Sequence, residues 1–172
     1  MKERYRVRRA GPRDMETLVH QRHSMFTDIR PRTSEEMELH DSAFRAWALR
    51  KMRKKRLFCF LIEGENRKVV AGGSIWLREH QPGPGRRDGL TPYLMSMYTE
   101  PEYRGKGLAT MLLAYTTDWA RKEGYGRIEL HASKYGEPVY ARFGYEKSNE
   151  MVYRFETELK KPSKGRSRRS AR

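Results

Sequence analysis

Apolar positions recur along this chain with two periods, and the switches between them predict its elements. Tyr5 and Val7 alternate with Arg4, Arg6 and Arg8, the pattern of a strand with one buried face. The period then becomes helical over residues 15–28, with Asp14 placed to cap the helix after a Gly-Pro turn. Pro31 breaks the chain. Ser34 then caps a long helix reaching residue 55, whose stripe of Met37, Phe44, Trp47 and Met52 reads as core packing. Residues 57–63 and 68–78 predict a hairpin joined by Gly-Glu-Asn-Arg. Three Pro and three Gly make residues 81–92 a loop. Tyr93, Leu94, Met95 and Met97 predict a fourth strand, and Met111, Leu112, Tyr115 and Trp119 a helix over 106–123. Gly124 and Gly126 stop that helix before a fifth strand over 127–133. A short helix around Tyr140 ends at Gly144 as a left-handed cap, and a last strand begins near Tyr145. The order β-α-α-β-β-β-α-β-α-β describes a mixed α/β (α+β) architecture with a central sheet flanked by helices.

The richest segment joins the fourth strand to its helix: Tyr-Thr-Glu-Pro-Glu-Tyr-Arg-Gly-Lys-Gly-Leu-Ala over residues 98–109. A turn there exposes successive N–H groups at the helix N-terminus, where donors lack intrahelical partners and the dipole is positive. Such a site suits a pyrophosphate. Gly105 and Gly107 remove side chains that would hold a phosphate away, and Arg104 and Lys106 supply cations. Two familiar phosphate fingerprints fail. Gly107 follows Lys106 where a nucleotide-hydrolase loop needs Ser or Thr, and Thr110 stands where a dinucleotide fold needs Gly or Ala.

Arg104-x-x-Gly107-x-Ala109 resembles the acetyl-coenzyme A pyrophosphate signature of the GNAT superfamily of N-acetyltransferases. A second motif, Pro-Val-Tyr-Ala-Arg-Phe-Gly-Tyr over residues 138–145, is similar to the closing motif of that family. The resemblance is specific over residues 95–155 and generic before. It implies the GNAT fold, with splayed fourth and fifth strands, and acetyl-CoA as co-substrate. Met97, Tyr98 and Thr99 would then offer backbone groups to pantetheine, and Arg104, Gly105, Lys106, Gly107, Leu108 and Ala109 would hold the pyrophosphate. A backbone N–H near Met97 would polarise the acetyl carbonyl. Tyr140 is the candidate proton donor to the departing thiolate; the other reading is that its ring only packs beside pantetheine.

Two positions depart from the family pattern. Ser133 stands where an asparagine often contacts the cofactor, and Gly136 where alanine is usual. A hydroxyl still donates a hydrogen bond. The glutamate that some relatives carry at the start of the fourth strand is absent, with Thr91-Pro92-Tyr93 there instead. His131 is the candidate base, with Glu129 on the same strand parity; a structural histidine, a water chain or an acceptor arriving neutral stand beside it. His20 and His23 have a spacing that suits a metal, but no acidic or Cys cluster completes a site.

Composition changes this picture in a few places. The 172 residues fit one N-acetyltransferase domain over 1–159 and a basic, disordered tail over 160–172. The tail holds seven Lys or Arg and no acid, so the body carries +8 of the net +15. RNA, ribosome or acidic-partner contact through that tail is one expectation, a solubilising end the other. A second basic run, residues 50–56, suits a helix C-terminus without any ligand. No apolar run is long enough to cross a membrane and no secretory leader is read, so a cytoplasmic protein is expected. Cys59, the one cysteine, reads as a small core residue.

The leading functional expectation is an N-acetyltransferase moving acetyl from acetyl-CoA to a primary amine on a small molecule, a peptide or an aminoacyl-tRNA. The alternatives are a basic RNA- or ribosome-binding protein, or a non-catalytic acyl-CoA-binding regulator on the same fold. A homodimer is compatible with each.

Overall fold

In a computed structural model that describes residues 5–83 and 89–152, five strands form one sheet in the order β1-β2-β3-β4-β5. Chain order runs β1 (Arg6–Arg9), α1 (Met15–Ile29), α2 (Ser34–Arg53), β2 (Leu57–Glu63), β3 (Val69–Glu79), β4 (Leu90–Thr99), α3 (Leu108–Lys122), β5 (Glu129–Leu130) and α4 (Glu137–Phe143). The first three strand pairs are antiparallel, and β4 and β5 are parallel.

Helices cover both faces of the sheet, which is why β2 reads as an unbroken apolar run. Phe60 and Ile62 point to a cluster with Leu112 and Leu113 of α3. Cys59 and Leu61 point the other way, to Leu18, Val19, Phe44 and Ala48 of α1 and α2. Cys59 is 1% exposed, and burial pushes its thiol up to about 12. Among the described residues no helix is long and apolar enough to cross a membrane.

Several boundaries differ from the sequence reading, each for a local reason. Thr33, not Ser34, caps α2, its hydroxyl accepting from the Glu36 N–H at 3.2 Å. Asp14 precedes α1 but accepts from the Gly11 N–H at 2.9 Å and pairs with Arg8, so it closes the preceding turn rather than the helix. β4 begins at Leu90, taking in the last three residues of the expected loop, Pro92 included. Leu77, opposite Pro92, sends its N–H to the Arg56 carbonyl on the far side at 2.8 Å, so this pair needs no donor from proline. β5 is two residues long, not seven, because β4 offers it partners only at Tyr93 and Leu94. Residues 145–152 form no strand, and the expected tail, with the rest of the expected last strand, lies outside the described residues.

Candidate active site

The site is built from a fault in β4. Gly72 faces Tyr98 while Ser74 faces Met95, so β4 carries one residue more than β3 across this interval. That is a β-bulge, and Ser96 within it has φ +54°, a left-handed conformation that costs a non-glycine residue about 1 kcal/mol or more. Past the bulge β4 runs on to Thr99 while β5 has already ended at Leu130, so the two strands part. Gly73 leaves room for the Met97 side chain: a Cβ on it would lie 2.6 Å from the Met97 sulfur, which would have to shift.

A pocket of about 120 Å³ opens beside the parted strands. Met97, Tyr98 and Thr99 of β4, Leu108 and Ala109 of α3, and Tyr140 of α4 line it. Six of the residues singled out from the sequence thus meet around one space. Ala71, Leu112, Gly136 and Val139 complete the wall. The first two carry no chemistry of their own; Ala71 comes to the wall through the β3–β4 register and Leu112 through the packing of α3 on the sheet. The Tyr98 hydroxyl lies 3.5 Å from Glu100, and Arg104 lies over its ring.

Between β4 and α3 the chain turns through Gly105 (φ +74°) and Gly107 (φ +78°). An added Cβ at either would meet nothing, so glycine is demanded by the backbone conformation rather than by crowding. This bend leaves the first N–H groups of α3 without intrahelical acceptors. The two expected cations are already engaged. Arg104 donates through Nε to the Thr99 carbonyl at 3.0 Å and pairs with Asp28 of α1 at 2.5 Å, which raises its pKa further. Lys106 donates to the Glu102 carbonyl at 2.8 Å and lies over the Tyr103 ring. Each cation keeps further donors beyond these partners, so a phosphate held by the amides could still engage them.

Tyr140 reaches the pocket past Gly136, the residue that caps the start of α4. A Cβ there would stand 2.9 Å from the Tyr140 ring, so the ring lies where an alanine would intrude. That gives a physical reason for glycine at this departure from the family pattern. Burial, with Tyr145 edge-on at 5.8 Å, pushes the Tyr140 hydroxyl up to about 12 and keeps it protonated through the neutral range. Ser133 does not line the pocket; its hydroxyl accepts from the Gly136 N–H at 3.2 Å and steadies the start of α4.

His131 falls outside the strand expected to carry it. Its ring is largely exposed, its Nδ1 meets the Tyr93 hydroxyl, and its Nε2 lies 3.9 Å from Glu150. Glu129 pairs with Arg127 at 2.7 Å and approaches His80 at 3.8 Å. His20 and His23 are likewise committed, to Glu100 and Asp41 respectively.

A family model described as acetyltransferase (GNAT) family matches residues 15–145. The chain belongs to this family. Its members are N-acetyltransferases with acetyl-CoA as co-substrate. Among solved structures, a GCN5-related N-acetyltransferase from Ralstonia eutropha is similar with TM-score 0.78 and 24% identity, over 88% of this chain and 98% of that one. A predicted acetyltransferase from Clostridium acetobutylicum, solved with acetyl-CoA, gives TM-score 0.77 and 27% identity over 88% and 96%. Glucosamine-6-phosphate N-acetyltransferase from Arabidopsis thaliana gives 0.60 and 15% over 90% and 100%. No curated protein matches the sequence.

Proposed function

We propose that this GNAT chain transfers the acetyl group of acetyl-CoA directly to a primary amine. The observation that carries this reading is the convergence of three devices on one pocket: the β4 bulge, the glycine turn that opens α3, and Tyr140. Backbone groups of Met97 to Thr99 would hold pantetheine along the open edge of β4. The turn from Gly105 to Ala109 would hold the pyrophosphate. The Met97 N–H would meet the negative charge that develops on the acetyl oxygen. Catalysis of this kind is alignment and fixed dipoles, with water kept out.

Tyr140 would protonate the leaving thiolate. It lines the pocket wall with its hydroxyl in the neutral form, and loss of the coenzyme's thioester raises the proton affinity of the sulfur it would meet. His131 does not line the pocket, which favours loss of the amine proton to solvent over abstraction by this imidazole. A body at +8 favours anionic acceptors over polyamines. Contact of residues 160–172 with RNA or an acidic partner is a separate proposal, checked by salt-dependent RNA binding of the full chain.

Isothermal titration with acetyl-CoA, followed by thiol release on an amine panel, tests the reading. Binding with turnover supports it. Binding without turnover on any amine would turn the chain into a regulator, and no binding would remove the acetyl-CoA assignment.

A further inference from the structure

On the opposite face of β4 from α3, a guanidinium sits against the bulge. Arg22 of α1 donates through Nη1 to the Ser96 hydroxyl at 2.7 Å. Its planar head is held between two aromatic rings, 4.9 Å from the Phe26 centroid and 4.7 Å from that of Phe44. Its Nε is buried and meets no acceptor among the described residues. No carboxylate of the described residues comes within ion-pair distance of it. The nearest acid in electrostatic reach, Asp41 of α2, is occupied elsewhere: one oxygen meets His23 at 2.7 Å and the other His40 at 3.0 Å.

Arg22 as a whole is half-buried, but its Nε is closed off from water, and a buried donor left unfilled costs more than an exposed one. Here the protein surrounds the guanidinium with apolar rings and directs its own acid to two imidazoles. The rings also fix the plane of the fork, so little further ordering is needed to receive a planar anion. Location supplies the rest. Ser96 immediately precedes Met97, whose N–H the proposed function assigns to the acetyl oxygen. A group bound by Arg22 would therefore sit one residue along β4 from that N–H, on the other face of the strand.

We infer that Arg22 is the acceptor-binding residue, and that the acceptor is an amine bearing a carboxylate on or near the carbon that holds the nitrogen, as in a free amino acid. The inference rests on the acetyltransferase reading. Arg22 would take the carboxylate through its remaining donors, and the nitrogen would then project toward the acetyl group. The carboxylate would remain unchanged through the reaction.

The test compares the free amino acids with their carboxamides in thiol release at saturating acetyl-CoA. At least one amino acid should be accepted with kcat/KM about 10- to 100-fold above its amide, the worth of a charge-assisted pair in a partly desolvated site. Arg22→Met, which keeps an apolar chain between Phe26 and Phe44, should abolish that preference through KM while acetyl-CoA affinity by calorimetry stays within about twofold. Ser96→Ala, which removes the hydrogen bond but leaves the charge, should keep the preference. A purely structural Arg22 would instead change coenzyme affinity or melting temperature and treat acids and amides alike. Amino acids no better than amides, no amino acid accepted, or an Arg22→Met enzyme with its preference intact would each overturn the inference. Failure to bind acetyl-CoA would instead remove the acetyltransferase reading itself. Preference for an amine bearing a phosphate in place of the carboxylate would also overturn the choice of acceptor.

Discussion

The two sides of β4 solve different problems with different materials. On the α3 side the working surface is main chain: the bulge at Ser96, the left-handed glycines at 105 and 107, and the unpaired start of α3. On the α1–α2 side it is side chain: Arg22 between Phe26 and Phe44, and Asp41 between His23 and His40. A backbone device serves a ligand that is the same in every member of a family. A side-chain device is changed by single substitutions and serves a ligand that differs. On the proposed reading, coenzyme recognition and acceptor choice would be separated across a single strand.

Substitutions on the two sides should therefore fail in different ways. The largest effect is expected from Gly107→Asp, which adds a negative charge at the phosphate turn and forces an L-residue to φ +78°. Acetyl-CoA Kd should rise about 100-fold or more by calorimetry, with Gly107→Ala separating the smaller backbone cost. Unchanged affinity in Gly107→Asp would erase the α3-side assignment. Next, Tyr140→Phe should lower kcat by about 100-fold while leaving coenzyme affinity within about twofold. Equal kcat would reduce that ring to packing.

Smaller still, Gly136→Ala places a methyl 2.9 Å from the Tyr140 ring and should cut kcat by about tenfold as the hydroxyl is displaced. A rate like that of the parent would mean the ring yields freely. The least effect on turnover is expected from Asp14→Asn, far from both ligands. The Arg8 guanidinium holds the Asp14 carboxyl below its usual range, so its contribution to stability exists above that range and vanishes as pH falls through the lowered value. Denaturant unfolding should show Asp14→Asn weaker by about 1 kcal/mol at pH 7, with the difference shrinking as pH falls through the lowered Asp14 value. Unaltered kinetics would confirm that a stability loss on the α1 side does not by itself mimic loss of Arg22.

The same division decided what could be read before any coordinates. The turn at 104–109 and the cap at Gly144 were legible because a left-handed backbone leaves glycine at a fixed place in the chain. The hairpin of β2 and β3 was legible because its apolar runs and its turn are contiguous. Capping residues were read one place off at α2, where Thr33 and Ser34 are equally good by type and only the entry angle of the chain selects between them. β5 was read too long, since strand length depends on what the neighbour offers and not on the strand itself. The Arg22 cluster was invisible. Its members come from α1, α2 and β4, far apart in sequence, and each has an ordinary helical or strand explanation when taken singly.

One feature of the core bears on how all this chemistry would be followed. Cys59 is walled off between β2 and the first two helices, with its sulfur accepting from Ser74 at 3.1 Å and its proton held until strongly alkaline pH. Colorimetric reagents that capture free sulfhydryls will therefore pass over the folded enzyme, and whatever signal grows in such a trace belongs to the coenzyme. The molecule supplies its own blank.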